Sequence, residues 1–172
     1  VSTTRIETML GDVAVAVHSQ DPRYKDIVGQ SLIHPFFPER EMKIVTDDIL
    51  VDMKFGTGAV KITPAHDYND FECGKRNNLP MIIIFDDNGL LNENGGIFKG
   101  MKRYDCRVKI QEELKKLGLF RDKKPNKMIL QTCSKTNDII EPMIKPQWWV
   151  NCKEVAKRGL EDVENGKLKI DS

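Results

Sequence analysis

Two stretches concentrate the residue types that can do chemistry: Thr3-Thr4-Arg5-Ile6-Glu7-Thr8 and Phe55-Gly56-Thr57-Gly58-Ala59-Val60-Lys61-Ile62-Thr63-Pro64-Ala65-His66-Asp67-Tyr68-Asn69-Asp70. In the second, 59–63 reads as a strand, so Lys61 and Thr63 share one face while Val60 and Ile62 share the other. Pro64 stops that strand, and a helix starting near Asp67 puts Asp67 and Asp70 on one face. An ammonium, a hydroxyl and two carboxylates can thus surround one small cavity at a strand-to-helix corner. A purely structural role competes at each position. Asp at an N-cap or in a first turn stabilises a helix through local hydrogen bonds and the helix dipole, with no ligand needed. The polar run 3–8 can simply cap a helical turn. Gly56 and Gly58 allow either close backbone approach to a ligand or an unusual turn. His66 invites pairing with a nucleophile, yet there is no G-x-S-x-G elbow and no Ser or Cys beside it. A histidine in the core, or supporting the site from behind, is the expectation.

The elements that must carry these residues follow from periodicity and punctuation. Thr4-Arg5-Ile6-Glu7 fits a capping box for a short helical turn that Gly11 can end, and 13–17 is an apolar run of strand length. Asp21-Pro22 opens a turn, and Pro35 and Pro38 interrupt the next stretch. Residues 42–45, 49–53, 59–63 and 81–85 read as strands. Asp105 can cap a helix whose Cys106, Ile110, Leu114 and Leu117 recur at near-helical spacing, with Gly118 at its end. Residues 128–132 and 139–144 look like later strands, and 151–164 like a final helix. The expected fold is mixed α/β, with a sheet that can close into a barrel and helices around it.

Bulk properties narrow the class. At 172 residues, 40% hydrophobic and 31% charged, the chain is long enough for one core and too well mixed to be disordered. No run of about 18 apolar residues exists, and no basic stretch precedes an apolar segment at the start, so a soluble cytoplasmic protein without membrane contact is expected. Beginning at Val1 and ending near the polar run Glu164-Asn165-Gly166-Lys167, it reads as a segment of a larger polypeptide. Cys73, Cys106, Cys133 and Cys152 form no C-x-x-C pair, and His18, His34 and His66 are dispersed, which predicts reduced thiols and no metal site. Net charge is +1, unevenly spread: 1–98 holds 9 basic against 15 acidic residues, 99–127 holds 11 against 4, and 128–172 holds 7 of each. The basic middle segment is either a phosphate-contacting face or a solvated helix.

Both chemical stretches resemble signatures of the editing insertion in class I aminoacyl-tRNA synthetases for valine, isoleucine and leucine. Those signatures are T-x-R-P-E-T, matched by Thr3, Arg5, Glu7 and Thr8, and G-T-G-x-V followed by P-A-H-D-x-x-D, matched by Gly56-Thr57-Gly58, Val60, Pro64-Ala65-His66-Asp67 and Asp70. Ile6 stands where the family usually has proline. Lys61-Ile62-Thr63 is similar to the valyl branch, as are Asn137-Asp138-Ile139-Ile140-Glu141-Pro142 and Lys145-Pro146-Gln147-Trp148-Trp149-Val150, which in that branch lead back toward the catalytic core. The likeness covers essentially the whole chain.

The resemblance implies a single editing domain over 1–172, β-barrel-like with surrounding helices, in which 133–172 includes the return connection. It implies hydrolysis of the aminoacyl ester at the 3′ end of the tRNA for valine when threonine has been misattached, after transfer to tRNA and with editing before transfer as a further option. Threonine is isosteric with valine, and valyl enzymes are themselves the reference case for an apolar pocket that rejects it by only about a hundredfold. By the same likeness, Asp70 and Asp67 hold the substrate ammonium. Arg5, Thr8 and Lys61 contact the threonyl hydroxyl or carbonyl, with Thr63 beside them, and Thr3 and Thr4 lie near the terminal adenosine. Lys61, Thr63, Asp67 and Asp70 form the catalytic set. No general base is evident, so the nucleophile is a water positioned by protein groups and a ribose hydroxyl. The domain needs no metal or cofactor, ATP being used by the catalytic domain of the parent synthetase. Two alternatives stand beside this one. An isoleucyl-type editor removing valine is disfavoured by Lys61 and Thr63, because an ammonium group is costly to bury beside a valine side chain without a partner. A tRNA-docking module without catalysis would not need a polar strand face opposite two carboxylates.

Overall fold

The computed structural model describes residues 1–169. Its sheet has four strands, β1 (Ala14–Val17), β2 (Ser31–Leu32), β3 (Met42–Thr46) and β4 (Ala59–Ile62), in the order β2-β3-β1-β4. β1 runs parallel to β3 and antiparallel to β4, and β2 is antiparallel to β3. The register Ala14↔Ile62 and Ala16↔Val60 places small residues against branched ones on a face that packs on Val51 and Cys73, the latter from α1 (Tyr68–Arg76). Val15↔Lys61 then puts Lys61 on the opposite face, as strand alternation requires.

A second core holds Leu10, Ile84, Phe85, Leu91, Phe98 and three residues of α2 (Arg103–Lys116), namely Cys106, Ile110 and Leu114. Between the two cores runs the 3₁₀ helix Ile6–Gly11. Gly11 is where this helix approaches β4 most tightly: a Cβ there would come within 3.0 Å of Thr63 Cγ2 and 3.1 Å of the Ile82 carbonyl. The first motif meets the residue that follows β4 at its last position, where Thr63 Oγ1 lies 3.5 Å from the Thr8 carbonyl.

Several expectations need correction. The barrel-like closure is not formed among the described residues: β2 and β4 are the free edges of an open sheet, and β2 is only 2 residues long. Residues 49–53 turn instead of extending, because Asp47 Oδ1 accepts the N–H groups of Ile49 and Leu50. Residues 81–85 stay outside the sheet, with one bridge, Phe85↔Leu91, because side chains satisfy their backbone. Ile83 O accepts from the side-chain amides of Asn92 and Asn94, and the Ile84 N–H donates to His66 Nε2. Residues 128–132 and 139–144 share a single bridge, Thr132↔Ile139. Asp105 lies in the first turn of α2 rather than at its cap, Leu117 is exposed just past the helix, and Gly118 follows at φ 69°. The final helix, α3 (Lys153–Glu164), buries none of its residues. All four cysteines are free thiols, and burial pushes those of Cys73 and Cys106 up to about 12. Among the described residues no helix is long and apolar enough to cross a membrane, and no group of three or more His, Cys, Asp or Glu could hold a metal ion.

Candidate functional site

The end of β4 and the start of α1 make the expected corner. Thr63 and Lys61 project from one face, and Lys61 Nζ donates to Thr63 Oγ1 and, at 3.1 Å, to Asp12 Oδ1. Thr63 Oγ1 in turn donates to Asp12 Oδ1, 2.5 Å away. All three side chains are buried. Burial pushes the Asp12 carboxyl upward, opposed by the Lys61 charge and the hydrogen bonds from Thr63 and Lys61. Nothing local in the sequence marks Asp12, since it sits outside both motifs and meets them only through the pairing of β1 with β4. It turns an isolated lysine into a buried ion pair, and buried charges persist only when paired in this way.

Asp67 and Asp70 divide their duties. Asp67, exposed, is the N-cap of α1, its Oδ1 accepting from the N–H groups of Asn69 at 2.8 Å and Asp70 at 3.1 Å. That is the helix-capping role open to any such aspartate, and it leaves Oδ2 unused. Asp70 is buried, and its Oδ2 accepts the Thr63 N–H at 2.8 Å. Burial raises its carboxyl to about 6, with the Thr63 hydrogen bond and Lys61 pulling it down and Asp67 and Asp12 pushing it up. Asp70 is thus a buried carboxylate one hydrogen bond from the strand that carries Lys61.

The first motif is anchored from a side the sequence did not indicate. Arg5 Nη2 lies 2.6 Å from both carboxylate oxygens of Glu141, Nη1 donates to the His66 carbonyl at 2.8 Å, and Nε is 3.5 Å from Glu7 Oε1. With five N–H donors in a guanidinium, little is left over for a ligand. Glu7, fully buried, is also forked by Arg107 at 2.6 and 2.9 Å. Thr8 is buried and its hydroxyl donates to the Arg5 carbonyl at 2.9 Å. Thr3 Oγ1 accepts the Arg5 N–H at 3.1 Å, while Thr4 is exposed. His66 is buried edge-on against Phe85, in keeping with a core or supporting histidine. The glycine motif is a turn rather than a cradle: Gly58 sits at φ 69°, and a Cβ there would run into the Arg23 guanidinium that pairs with Asp21.

A cleft of about 270 Å³ opens beside these groups, lined by Arg5, Asp67, Arg103 and Tyr104 on one side and by Ile129 and Ile140 on the other. Lys61, Thr63 and Asp70 are not among its lining residues. The structure therefore brings Lys61, Thr63 and Asp70 together with Asp12 and brings Arg5 and Asp67 to the cleft, while Thr3, Thr4 and Thr8 are not among its lining residues. Chemically, this arrangement offers carboxylates for an ammonium and a fixed array of polar donors beside them.

Comparison with known proteins bears on the family and the fold. A family model described as leucyl-tRNA synthetase, editing domain, matches residues 18–115, more than half of the chain. The chain is 61% identical over 170 residues to the valine–tRNA ligase of Schizosaccharomyces pombe and 54% identical over 170 residues to that of Caenorhabditis elegans. A mitochondrial valine–tRNA ligase of Saccharomyces cerevisiae is 53% identical over 171 residues. Each alignment covers 99% of this chain but only 15% to 17% of the relative, so the chain spans about a sixth of the length of these proteins. In fold it is similar to the crystal structure of GlLeuRS-CP1, at a TM-score of 0.55 and 13% identity, covering 74% of this chain and 83% of that one. Through the match over more than half of its length, and its likeness to valine–tRNA ligases from end to end, the chain belongs to the editing-domain family of the aminoacyl-tRNA synthetases.

Proposed function

We propose that this chain is the editing domain of a valyl-tRNA synthetase and that it hydrolyses the aminoacyl ester of tRNA for valine mischarged with threonine. The observation that carries the reading is the corner of β4 and α1, where a lysine, a threonine and a buried aspartate meet within hydrogen-bonding distance. Asp70 and Asp67 take the substrate ammonium, Asp67 through the oxygen its cap role leaves unused. Lys61 and Thr63, with Thr8 and Arg5 nearby, read the threonyl hydroxyl and carbonyl, and Thr3 and Thr4 lie toward the terminal adenosine. A water oxygen bonds to the ester carbonyl carbon, the bond from that carbon to the ribose oxygen breaks, and the ribose oxygen takes a proton as free threonine leaves. No side chain here is a strong base, so protein groups and the neighbouring ribose hydroxyl position the water.

Residues 133–172 include the return connection toward the catalytic core of the parent, which uses ATP; of these, 170–172 lie outside the described residues. The relatives include a mitochondrial enzyme, so the cytoplasmic location is a property of this reading and not of the family. Editing before transfer would use the same pocket. The test is deacylation of threonyl-tRNA by the purified chain beside its Asp70→Asn variant. The amide keeps an acceptor for the Thr63 N–H but loses the charge-assisted bond to the ammonium, so kcat/KM should fall about 10- to 100-fold with no lowering of the unfolding midpoint. Wild-type hydrolysis by the variant would remove Asp70 from the site, and no hydrolysis by either protein would overturn the reading.

A further inference from the structure

Residues 121–150 follow α2 with hardly any regular structure, and most of their side chains are exposed. Glu141 is one of five that are partly buried: its side chain is 13% exposed and faces three partners on the body of the domain. Arg5 Nη2 stands 2.6 Å from both of its oxygens, Arg103 Nη1 2.6 Å from Oε2, and His66 Nδ1 3.4 Å from Oε1. The tautomer of His66 follows from its other nitrogen. Nε2 accepts the Ile84 N–H at 3.0 Å, so it carries the lone pair and the ring proton sits on Nδ1, which is buried near Glu141 Oε1 without a hydrogen-bond partner. Although burial pushes the Glu141 carboxyl up, the nearby His66 ring and the Arg5 and Arg103 guanidiniums bring it down to about 2.

The placement of this anion matters because Arg5 and His66 belong to different motifs. Arg5 also donates to the His66 carbonyl, one residue before the α1 cap at Asp67. Arg5 therefore bridges the Glu141 carboxylate to the His66 carbonyl and ties the segment 3–8 to the corner carrying Asp67 and Asp70. We infer that Glu141 is a positioning residue for the editing reaction: it does not touch substrate but holds Arg5 and the α1 corner at the separation the reacting ester requires. The inference rests on the proposed function. It also gives the return connection a task beyond linkage, because the site is complete only when that segment lies across Arg5 and Arg103.

The test uses Glu141→Gln, which keeps shape and one acceptor but loses the charge, with Lys145→Met as a control that breaks the other ion pair of this segment, Lys145–Asp87. With threonyl-tRNA as substrate, Glu141→Gln should lower kcat about tenfold or more while KM moves less than about threefold, and Lys145→Met should match the wild type. In an Arg5→Ala background, Glu141→Gln should change kcat by less than about twofold, because residues acting as one unit are non-additive. A separate readout does not need activity: the Arg5 side-chain N–H resonances, dispersed and slow to exchange in the wild type, should broaden or collapse in Glu141→Gln. Unchanged Arg5 resonances overturn the inference whatever the rates. An active wild type with equal kcat for Glu141→Gln, or a tenfold loss that persists in the Arg5→Ala background, also overturns it while leaving the proposed function standing. A wild type without deacylase activity removes the proposed function instead, and the resonances still decide whether Glu141 positions Arg5.

Discussion

Lys61 and Asp12 show how a site residue can be both chemical and structural. Their ion pair is buried and completed by Thr63, so removing one partner strands the other charge. Lys61→Met should destabilise the domain by about 3 to 5 kcal/mol in denaturant unfolding, and adding Asp12→Asn should recover part of that loss. Full additivity of the two changes would contradict the pairing. Asp70 carries a pH signature, because burial lifts it to about 6. Only its ionised form holds an ammonium, so kcat/KM for deacylation should fall as pH drops through about 6, and Asp70→Asn should flatten that limb. Stability moves the other way. A carboxyl whose folded pKa lies above its unfolded value contributes stability that is full below the unfolded value and lost as pH rises through about 6. Thermal midpoints measured between pH 4 and 7 should therefore show the variant gaining on the wild type as pH rises, and parallel curves would contradict the buried environment.

At the scale of elements, the sequence made β1, β3, β4, α1 and both chemical motifs legible, because each has a local signature: alternation, a stop at Pro64, a cap at Asp67. What escaped was set by distant partners. Asp12 joins the site only through the antiparallel register of β1 on β4, and Glu141 reaches Arg5 across 136 positions. The run 81–85 looked like a strand from its apolarity, but strands need backbone partners, and His66, Asn92 and Asn94 had already taken them. The basic segment 99–127 also changes meaning. Arg103 is committed to the part-buried Glu141, whereas Lys99 makes only an exposed surface pair with Glu93 and Lys102, Lys123 and Lys127 form no ion pair among the described residues. If this segment meets RNA, tRNA binding should weaken with salt while binding of a nonhydrolysable threonyl-adenosine analogue changes far less. Lys123→Ala with Lys127→Ala should then reduce the salt slope by about one for each phosphate left without its lysine. Equal slopes for the two ligands would return the segment to a solvated surface.

On the scale of the whole molecule, the chain is a fraction of the proteins it resembles, and its surface is consistent with that. Trp148, Trp149 and Val150 are almost fully exposed, and Val155, Leu160 and Val163 of α3 are uncovered as well. These lie in the stretch proposed to lead back toward a catalytic core, while the polar corner lies in the earlier part of the chain. On the function proposed above, the fixed donors and acceptors of that corner would select a hydroxyl-bearing amino acid over an isosteric one without the hydroxyl. Sites built to hydrogen-bond a hydroxyl can reject the analogue lacking it by roughly ten-thousandfold, because their polar groups are left unpaired. The most direct measurement is the ratio of kcat/KM for deacylation of threonyl-tRNA and valyl-tRNA by the same protein under the same conditions. The account predicts a ratio of about a hundredfold or more in favour of threonine. Equal hydrolysis of the two esters, or faster hydrolysis of the valyl ester, would contradict it.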